Sequence, residues 1–470
     1  MDSSAISSRE ELLGQGPIRS LMIKFAVPSI IAMLVSALYN IVDQIFIGRY
    51  VGTLGNAATN IAFPLAMSCT AIGLLFGIGG AANFNLHMGR KEYEKAPYFI
   101  GNALFMLFLL GIFLCLDVEL ILKPMLVFFG SPENVLPYAI PYVRITAIGF
   151  PFLIVTTGGG HLIRADGSPN MTMICSLSGA IINTVLDALF VIVFDWGMSG
   201  AALATVIGQV FSGCLVFYYM KGFKTLPLKK KHFIPDPAIV IQTASLGLAS
   251  CVNQLAMMVM QIILNNSLKY YGALSIYGAS IPIACAGIVT KVFQVFFSIV
   301  IGLAQGSQPI ESFNYGARRY QRVRETYLIT IKSAFVVSVL AWILFQTIPD
   351  KLLALFGSGN EKYFTFGVRF FRIYLFCTWA NCIQPATSQF FASVGKPLRG
   401  MFISLTRQII FLIPLILILP LFMEINGILF AGPIADALAA IVALLMVRIE
   451  FKDMHRLEKL EKQRQTSLES

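Results

Sequence analysis

From near residue 19 to about Arg448 the chain alternates long apolar runs with short breaks that are polar, basic or rich in glycine and proline. A helix that crosses a bilayer needs roughly 20 apolar residues, and tilt allows more. Twelve runs reach that length: 19–47, 57–86, 98–118, 139–163, 170–194, 198–220, 238–266, 276–306, 326–348, 366–392, 402–422 and 427–448. Helix is the backbone that satisfies its own polar groups over such lengths in lipid. The pattern predicts an all-α polytopic membrane protein with twelve transmembrane helices. The first run is too long for the apolar core of a cleaved signal peptide, and we expect it to remain as the first helix.

The chain also repeats itself. Phe128-Phe129-Gly130-Ser131 followed by Val143-Arg144-Ile145 matches Leu355-Phe356-Gly357-Ser358 followed by Val368-Arg369-Phe370. Gly167-Ser168-Pro169 matches Gly395-Lys396-Pro397, and Ser199-Gly200 matches Asn426-Gly427. Six helices per half is an even number, so both halves enter from the same side and the repeat is parallel. The expected layout is two pseudo-symmetric six-helix lobes, 19–220 and 238–448, joined by a basic linker at 221–237. Residues 1–18 and 449–470 are expected as a cytoplasmic N-terminus and a cytoplasmic tail.

Composition agrees with the pattern. The chain is 57% hydrophobic and only 13% charged, with a mean hydropathy of +0.75, where soluble chains carry about 25% charge. The net charge of +11 takes its meaning from its location. One set of loops carries Arg90, Lys91, Lys95, Arg164, Lys221, Lys224, Lys229, Lys230, Lys231, Arg318, Arg319, Arg322, Arg324, Lys396 and Arg399. The opposite loops carry Arg49, Lys123, Lys269, Lys351 and Lys362. The positive-inside rule then places both termini in the cytoplasm, and the excess charge is topogenic rather than a nucleic-acid footprint. The eight cysteines fall within or beside apolar runs in no metal-binding spacing and read as small buried hydrophobes.

Asp187 sits inside the fifth run, with Asn183 one helical turn before it on the same face. Asp43 lies near the outer end of the first run, and Thr205 follows the turn after the fifth by a comparable rise. All four fall in the outer half of the bilayer. A central Asp costs about 2.5–3.5 kcal/mol to insert, whereas an interhelical polar contact returns about 0.6 kcal/mol. Structural glue therefore does not repay the cost, and the four read as a cation site. Carboxylate and neutral oxygens suit a hard cation such as sodium, and a carboxylate can instead hold a proton. Met33, Met67, Gln254, Met257, Gln261, Asn265, Lys291 and Gln294 are candidates for a cleft between the lobes, where soft methionines suit varied ligands. His161 reads as structural, and Gly158-Gly159-Gly160 as a close-packing run.

Five stretches in order carry a family resemblance: Asn40-Ile-Val-Asp43-Gln-Ile-Phe-Ile-Gly48, Arg164-Ala-Asp-Gly-Ser-Pro169, Asn183-Thr-Val-Leu-Asp187, Gly200-Ala-Ala-Leu-Ala-Thr205 and Gln308-Pro-Ile-Glu-Ser-Phe-Asn-Tyr-Gly-Ala317. The chain resembles the multidrug and toxic compound extrusion (MATE) transporters, and within them the MepA-like bacterial group. The resemblance implies a V-shaped pair of bundles in the bacterial inner membrane, working as a monomer. It implies antiport in which a proton or sodium drives export of amphipathic, often cationic, small organic compounds. Membrane lipids are the other expected partners, and no cofactor is expected. Some MATE branches carry acidic residues in the seventh and tenth spans. Here those spans offer Asn253, Gln254, Gln261, Asn265, Asn381 and Gln384 instead, so the amino-terminal residues carry the comparison. A lipid or lipid-linked precursor flippase of the same superfamily is the alternative. No metal-ligand cluster, nucleophile–base pair or nucleotide-binding glycine motif points to an enzyme.

Overall fold

The computed structural model describes residues 11–51, 53–129, 131, 133, 135–278, 280–354 and 361–469. Arg9, which belongs to the cytoplasmic N-terminus expected at 1–18, lies outside them, as do Gly130 and the Leu355–Ser358 copy of the repeat.

Among the described residues the structure is helical throughout, with no strand. The first half is α1 (Ile18–Phe46), α2 (Thr53–Gly89), α3 (Ala96–Phe128), α4 (Leu136–Ala165), α5 (Pro169–Asp187) and α6 (Gly197–Lys221). The second half is α7 (Pro237–Ala273), α8 (Ser280–Gly316), α9 (Tyr320–Thr347), α10 (Pro349–Ala354), α11 (Glu361–Tyr374), α12 (Thr378–Asn381), α13 (Ile383–Ser393), α14 (Pro397–Leu405), α15 (Ile413–Ile418), α16 (Pro420–Met423) and α17 (Ile425–Glu469). Proline in the first turn opens α3, α4, α5, α7 and α14, where its missing N–H costs nothing. Asp236 caps α7 by accepting from Ala238 N at 2.9 Å.

Eleven helical stretches among the described residues are long and apolar enough to cross a membrane. The tenth traversal, expected as one helix over 366–392, is broken into α11, α12 and α13. The causes are local. Pro385 cannot donate to the carbonyl of Asn381, and its ring crowds that carbonyl. Thr378 turns its hydroxyl back onto Leu375 O at 2.7 Å, in competition with the helical ladder. The last helix differs in the other direction: α17 runs unbroken from Ile425 to Glu469, through what reads in the sequence as a separate tail.

Large side chains face outward all round the bundle. Leu120 is 81% exposed, Phe128 86% and Phe422 81%. So much open apolar surface would be untenable in water and fits a lipid surround. Cys214 is exposed on α6, in contrast to the burial expected of every cysteine.

The lobes meet along α1–α8, α2–α7 and α2–α8. Glycines let the backbones touch there. A Cβ at Gly306 would stand 2.5 Å from Ala26 Cα, and one at Gly302 2.6 Å from Ile30 Cα. Polar ties reinforce the seam. Gln308 Nε2 donates to Ile78 O at 3.1 Å and its Oε1 meets His161 Nδ1 at 3.4 Å. Arg164 Nη2 donates to Gln305 Oε1 at 3.0 Å, and Asn83 Nδ2 to Gln242 O at 3.2 Å. These contacts cluster toward the side that carries the described chain ends and the linker, called here the terminal side. At mid-depth Gln254 Nε2 meets Met67 Sδ at 2.7 Å.

Candidate functional site

The site is built on α1, α5 and α6: α5 packs on both of the others, and the turn that follows α1 reaches α6. Helices α5 and α6 approach closely because both present glycine. A Cβ at Gly208 would stand 2.7 Å from Gly179 O and 3.1 Å from Asn183 Cβ. Ser212 Oγ stitches the pair by donating to Cys175 O at 2.8 Å. One turn along from Gly179 comes Asn183, and one turn further Asp187. Both helices bearing carboxylates pass into π-helical turns just beyond the site, Ile47–Val51 after α1 and Ala188–Val193 after α5. Such widened turns concentrate at functional positions.

The four residues singled out in the sequence come together. Asp187 is fully buried, and Asn183, Thr205 and Asp43 are nearly so. Asn183 Nδ2 donates to Thr205 Oγ1 at 3.3 Å, and Thr205 spends its own proton on Ala201 O at 3.0 Å. The carboxyls of Asp43 and Asp187 lie within hydrogen-bonding reach of each other. What remains is a set of oxygens without donors: both Oδ atoms of Asp187, Oδ1 of Asp43 and Oδ1 of Asn183. Buried polar atoms are nearly always satisfied, so an orphaned cluster of acceptors marks a place for a positive species. Two carboxylates with neutral oxygens fit a proton or a hard cation.

Two residues at the site escape the sequence reading. Tyr39 stands one turn before Asp43, with its hydroxyl in reach of Thr205 and its ring in the field of both carboxyls. Tyr142 from α4 faces the same pair. Tyr39 was legible from its spacing to Asp43; Tyr142 carried no local signal.

The cleft candidates scatter more widely. Met33, Met67, Gln254, Met257 and Lys291 are half-buried. Gln254 and Met67 touch across the lobes. Gln261 donates to Asn265 at 3.1 Å along α7, and Asn265 and Gln294 are exposed.

The second half of the chain does not copy this cluster of oxygens. At the offset set by Pro169 and Pro397, the positions of Asn183 and Asp187 fall on Phe411 and Leu415, and that of Gly179 on Arg407. Arg407 Nε donates to Asp436 Oδ1 at 2.5 Å, and Asn381 Nδ2 to the same oxygen at 2.8 Å. This buried charge is internally neutralised, between Arg407 on a π-helical turn (Thr406–Leu412) and Asp436 on α17, with Asn381 of the broken tenth traversal beside them. Arg407 and Asp436 are both charged residues in apolar runs, a signal the sequence reading passed over.

Fold and site together define a polytopic membrane protein with a buried cluster of unpartnered carboxyl and amide oxygens in its first half. The chain belongs to the MatE family, whose model matches residues 28–189 and 249–418. It is similar to the multidrug export protein MepA of Staphylococcus saprophyticus subsp. saprophyticus, at 23% identity over 427 residues, covering 91% of this chain and 92% of that one. MepA of Staphylococcus aureus strain MRSA252 is 24% identical over 434 residues, covering 92% and 94%. Among solved structures, a MOP-superfamily transporter from Pyrococcus furiosus superposes with a TM-score of 0.88 at 21% identity, covering 94% of this chain and 98% of that one. An outward-facing multidrug resistance MATE transporter of the same superfamily superposes with a TM-score of 0.87 at 21% identity, with the same coverage.

Proposed function

We propose that this protein is a cation-driven antiporter that exports amphipathic, often cationic, organic compounds by alternating access. The single observation that carries the reading is the buried set of donorless oxygens at Asp43, Asn183 and Asp187. A membrane protein retains such a set at several kcal/mol of cost where a cation visits it. The name borne by the MepA relatives supports the drug-export half of the reading.

The cation, a proton or sodium, enters the amino-terminal lobe and neutralises the Asp43–Asp187 pair. Exchange requires that cation and substrate favour different lobe arrangements, since a ligand equal for both states shifts nothing. Contacts gathered on the terminal side support an arrangement closed there, with exposed Gln294 and Asn265 on the other half of the cleft. By the charge bias of the loops the terminal side is cytoplasmic, in a bacterial inner membrane.

The test is efflux of a fluorescent cation from proteoliposomes under separately imposed sodium and proton gradients. Asp187→Asn and Asp43→Asn are expected to abolish driven efflux at matched abundance while substrate still binds. Wild-type efflux in Asp187→Asn would return that residue to a structural role. The flippase alternative gains no observation of its own here.

A further inference from the structure

Glu311 lies in α8, about a turn from the helix end on the terminal side, in the half of the bilayer opposite Asp187. It is 1% exposed, and its Oε2 has no hydrogen-bond partner. The side chains within hydrogen-bonding reach of its carboxyl are Ser307, one turn before it, and Ser393 at the end of α13. Tyr327 of α9 faces it, with its hydroxyl paired to Thr387 Oγ1 at 2.7 Å. The basic groups of this region are committed elsewhere: Lys396 lies 2.6 Å from Glu450 and Arg399 2.5 Å from it.

The serines decide the chemistry. Each hydroxyl has one proton to give. Ser307 gives its proton to Ala304 O at 3.0 Å, and Ser393 gives its own to Gln389 O at 2.9 Å. Each hydroxyl therefore lies between a backbone carbonyl and the Glu311 carboxyl and has one proton for the two. Two hydroxyl protons shared among two carbonyls and a carboxyl leave the buried Oε2 without a donor, a place that a proton or a small cation would fill. Oxygen donors of this kind select a hard cation.

We propose that Glu311, Ser307 and Ser393 form a second monovalent-cation site, in the carboxyl-terminal lobe on the terminal side, that takes a proton or a sodium ion. The site ties α8 to α13. The same stretch of α8 carries Gln305 and Gln308, which hold Arg164, His161 and Ile78 of the other lobe. Occupation of the site firms the helix that closes the terminal side. Release of its cation loosens α8 where the lobes must part. The amino-terminal site and this one thus lie on opposite halves of the membrane, each beside the opening it would sense.

The test uses the full chain in lipid nanodiscs on an Asp43→Asn, Asp187→Asn background, which silences the first site. One arm titrates sodium-22 binding at fixed pH. The other follows the carbonyl stretch of a protonated carboxylic acid in infrared difference spectra as pH varies without sodium. The background is expected to keep one saturable sodium per chain, or one titrating acid band, and Glu311→Gln to remove it. Ser393→Ala, a milder change, is expected to weaken sodium binding or shift the titration about tenfold, as for one lost bond to a charged group. Residual binding unchanged by Glu311→Gln overturns the proposal. So does an acid band that never titrates while sodium fails to bind.

Discussion

Asn183 and Thr205 are joined by one hydrogen bond of 3.3 Å, and its direction settles what each shows to Asp187. Asn183 commits its amide nitrogen to α6 and leaves its carbonyl oxygen unpartnered beside the carboxyl. Thr205 has already given its proton to Ala201 O. Both residues thus face the site as neutral oxygens.

If sodium is the driving ion, Asn183→Ala and Thr205→Ala are each expected to raise the sodium concentration for half-maximal efflux by about tenfold, the effect of one lost bond to a charge. If a proton suffices, both variants keep the wild-type dependence on the imposed pH gradient. Efflux of a fluorescent cation under each gradient alone separates the cases. Sodium dependence unchanged in both variants would remove them from the ligand set.

The glycine seam makes a second prediction. Gly306→Leu would thrust a side chain into the backbone of α1 at Ala26. Overpacking of this kind costs about 1–3 kcal/mol, enough to shift a two-state balance roughly tenfold or more. The terminal side is expected to spread, and driven efflux to fall with normal insertion. Spin labels at exposed Lys91 and Arg319, on loops of the two lobes, would report a longer distance. An unchanged distance distribution with normal efflux would show that the seam yields elsewhere.

A third prediction concerns the linker. Its hydrogen bonds to the bundle run through backbone groups, while Lys231 Nζ lies 5.8 Å from the centre of the Tyr98 ring. Asn102 Nδ2 donates to His232 O at 3.0 Å, and Asp236 N to Asn102 Oδ1 at 2.8 Å. Asp166 accepts from Lys224 N at 2.7 Å, Thr225 N at 2.8 Å and the Tyr219 hydroxyl at 2.7 Å. Replacing Lys229, Lys230 and Lys231 by Gln is expected to leave efflux largely intact. His232 adds a pH dependence: burial first, then Lys231 and Lys229, hold its imidazole below the ordinary value of 6.5. A depressed histidine stabilises docking fully above its unfolded value and withdraws that support as pH falls below it. The neutral ring also accepts from Lys229 N at 3.1 Å, which a protonated ring could not do. A spin label at Lys230 is expected to gain mobility below about pH 6 in wild type and to lose that pH dependence in His232→Phe.

The orientation is open to a direct test. On a cysteine-free background, a cysteine at Asp195 should react with an impermeant thiol reagent added to intact cells. One at Lys230 should react only after permeabilisation. External labelling at Lys230 would invert the topology.

The apolar pattern carried nearly all of the helical framework, because length and hydropathy alone decide which backbone survives in lipid. It missed the break in the tenth traversal. Thr378 and Pro385 were visible, but apolar runs hide helix breaks whose freed groups are satisfied by neighbouring helices. Asp43, Asn183, Asp187 and Thr205 were legible from the cost of charge at depth and from one-turn spacing. Tyr142 was not, because α4 brings it to the site only through tertiary packing. Arg407 and Asp436 stood in apolar runs as plainly as Asp187, whereas Glu311 lies five residues past the run expected over 276–306. What the sequence could not reveal is that the first two neutralise each other at 2.5 Å while Glu311 has no such partner.

The unbroken course of α17 from the membrane to Glu469 has a practical consequence. Glu458 grips Arg324 of α9 at 2.8 Å, so the emerging helix is braced against the bundle rather than free to swing. From Arg448 to Glu469 it projects about 30 Å at 1.5 Å per residue. A rigid helical fusion spliced in register onto that end would turn with the carboxyl-terminal lobe. It would give a small, nearly featureless membrane particle an orientation marker for single-particle imaging, in whichever state the lobes are caught.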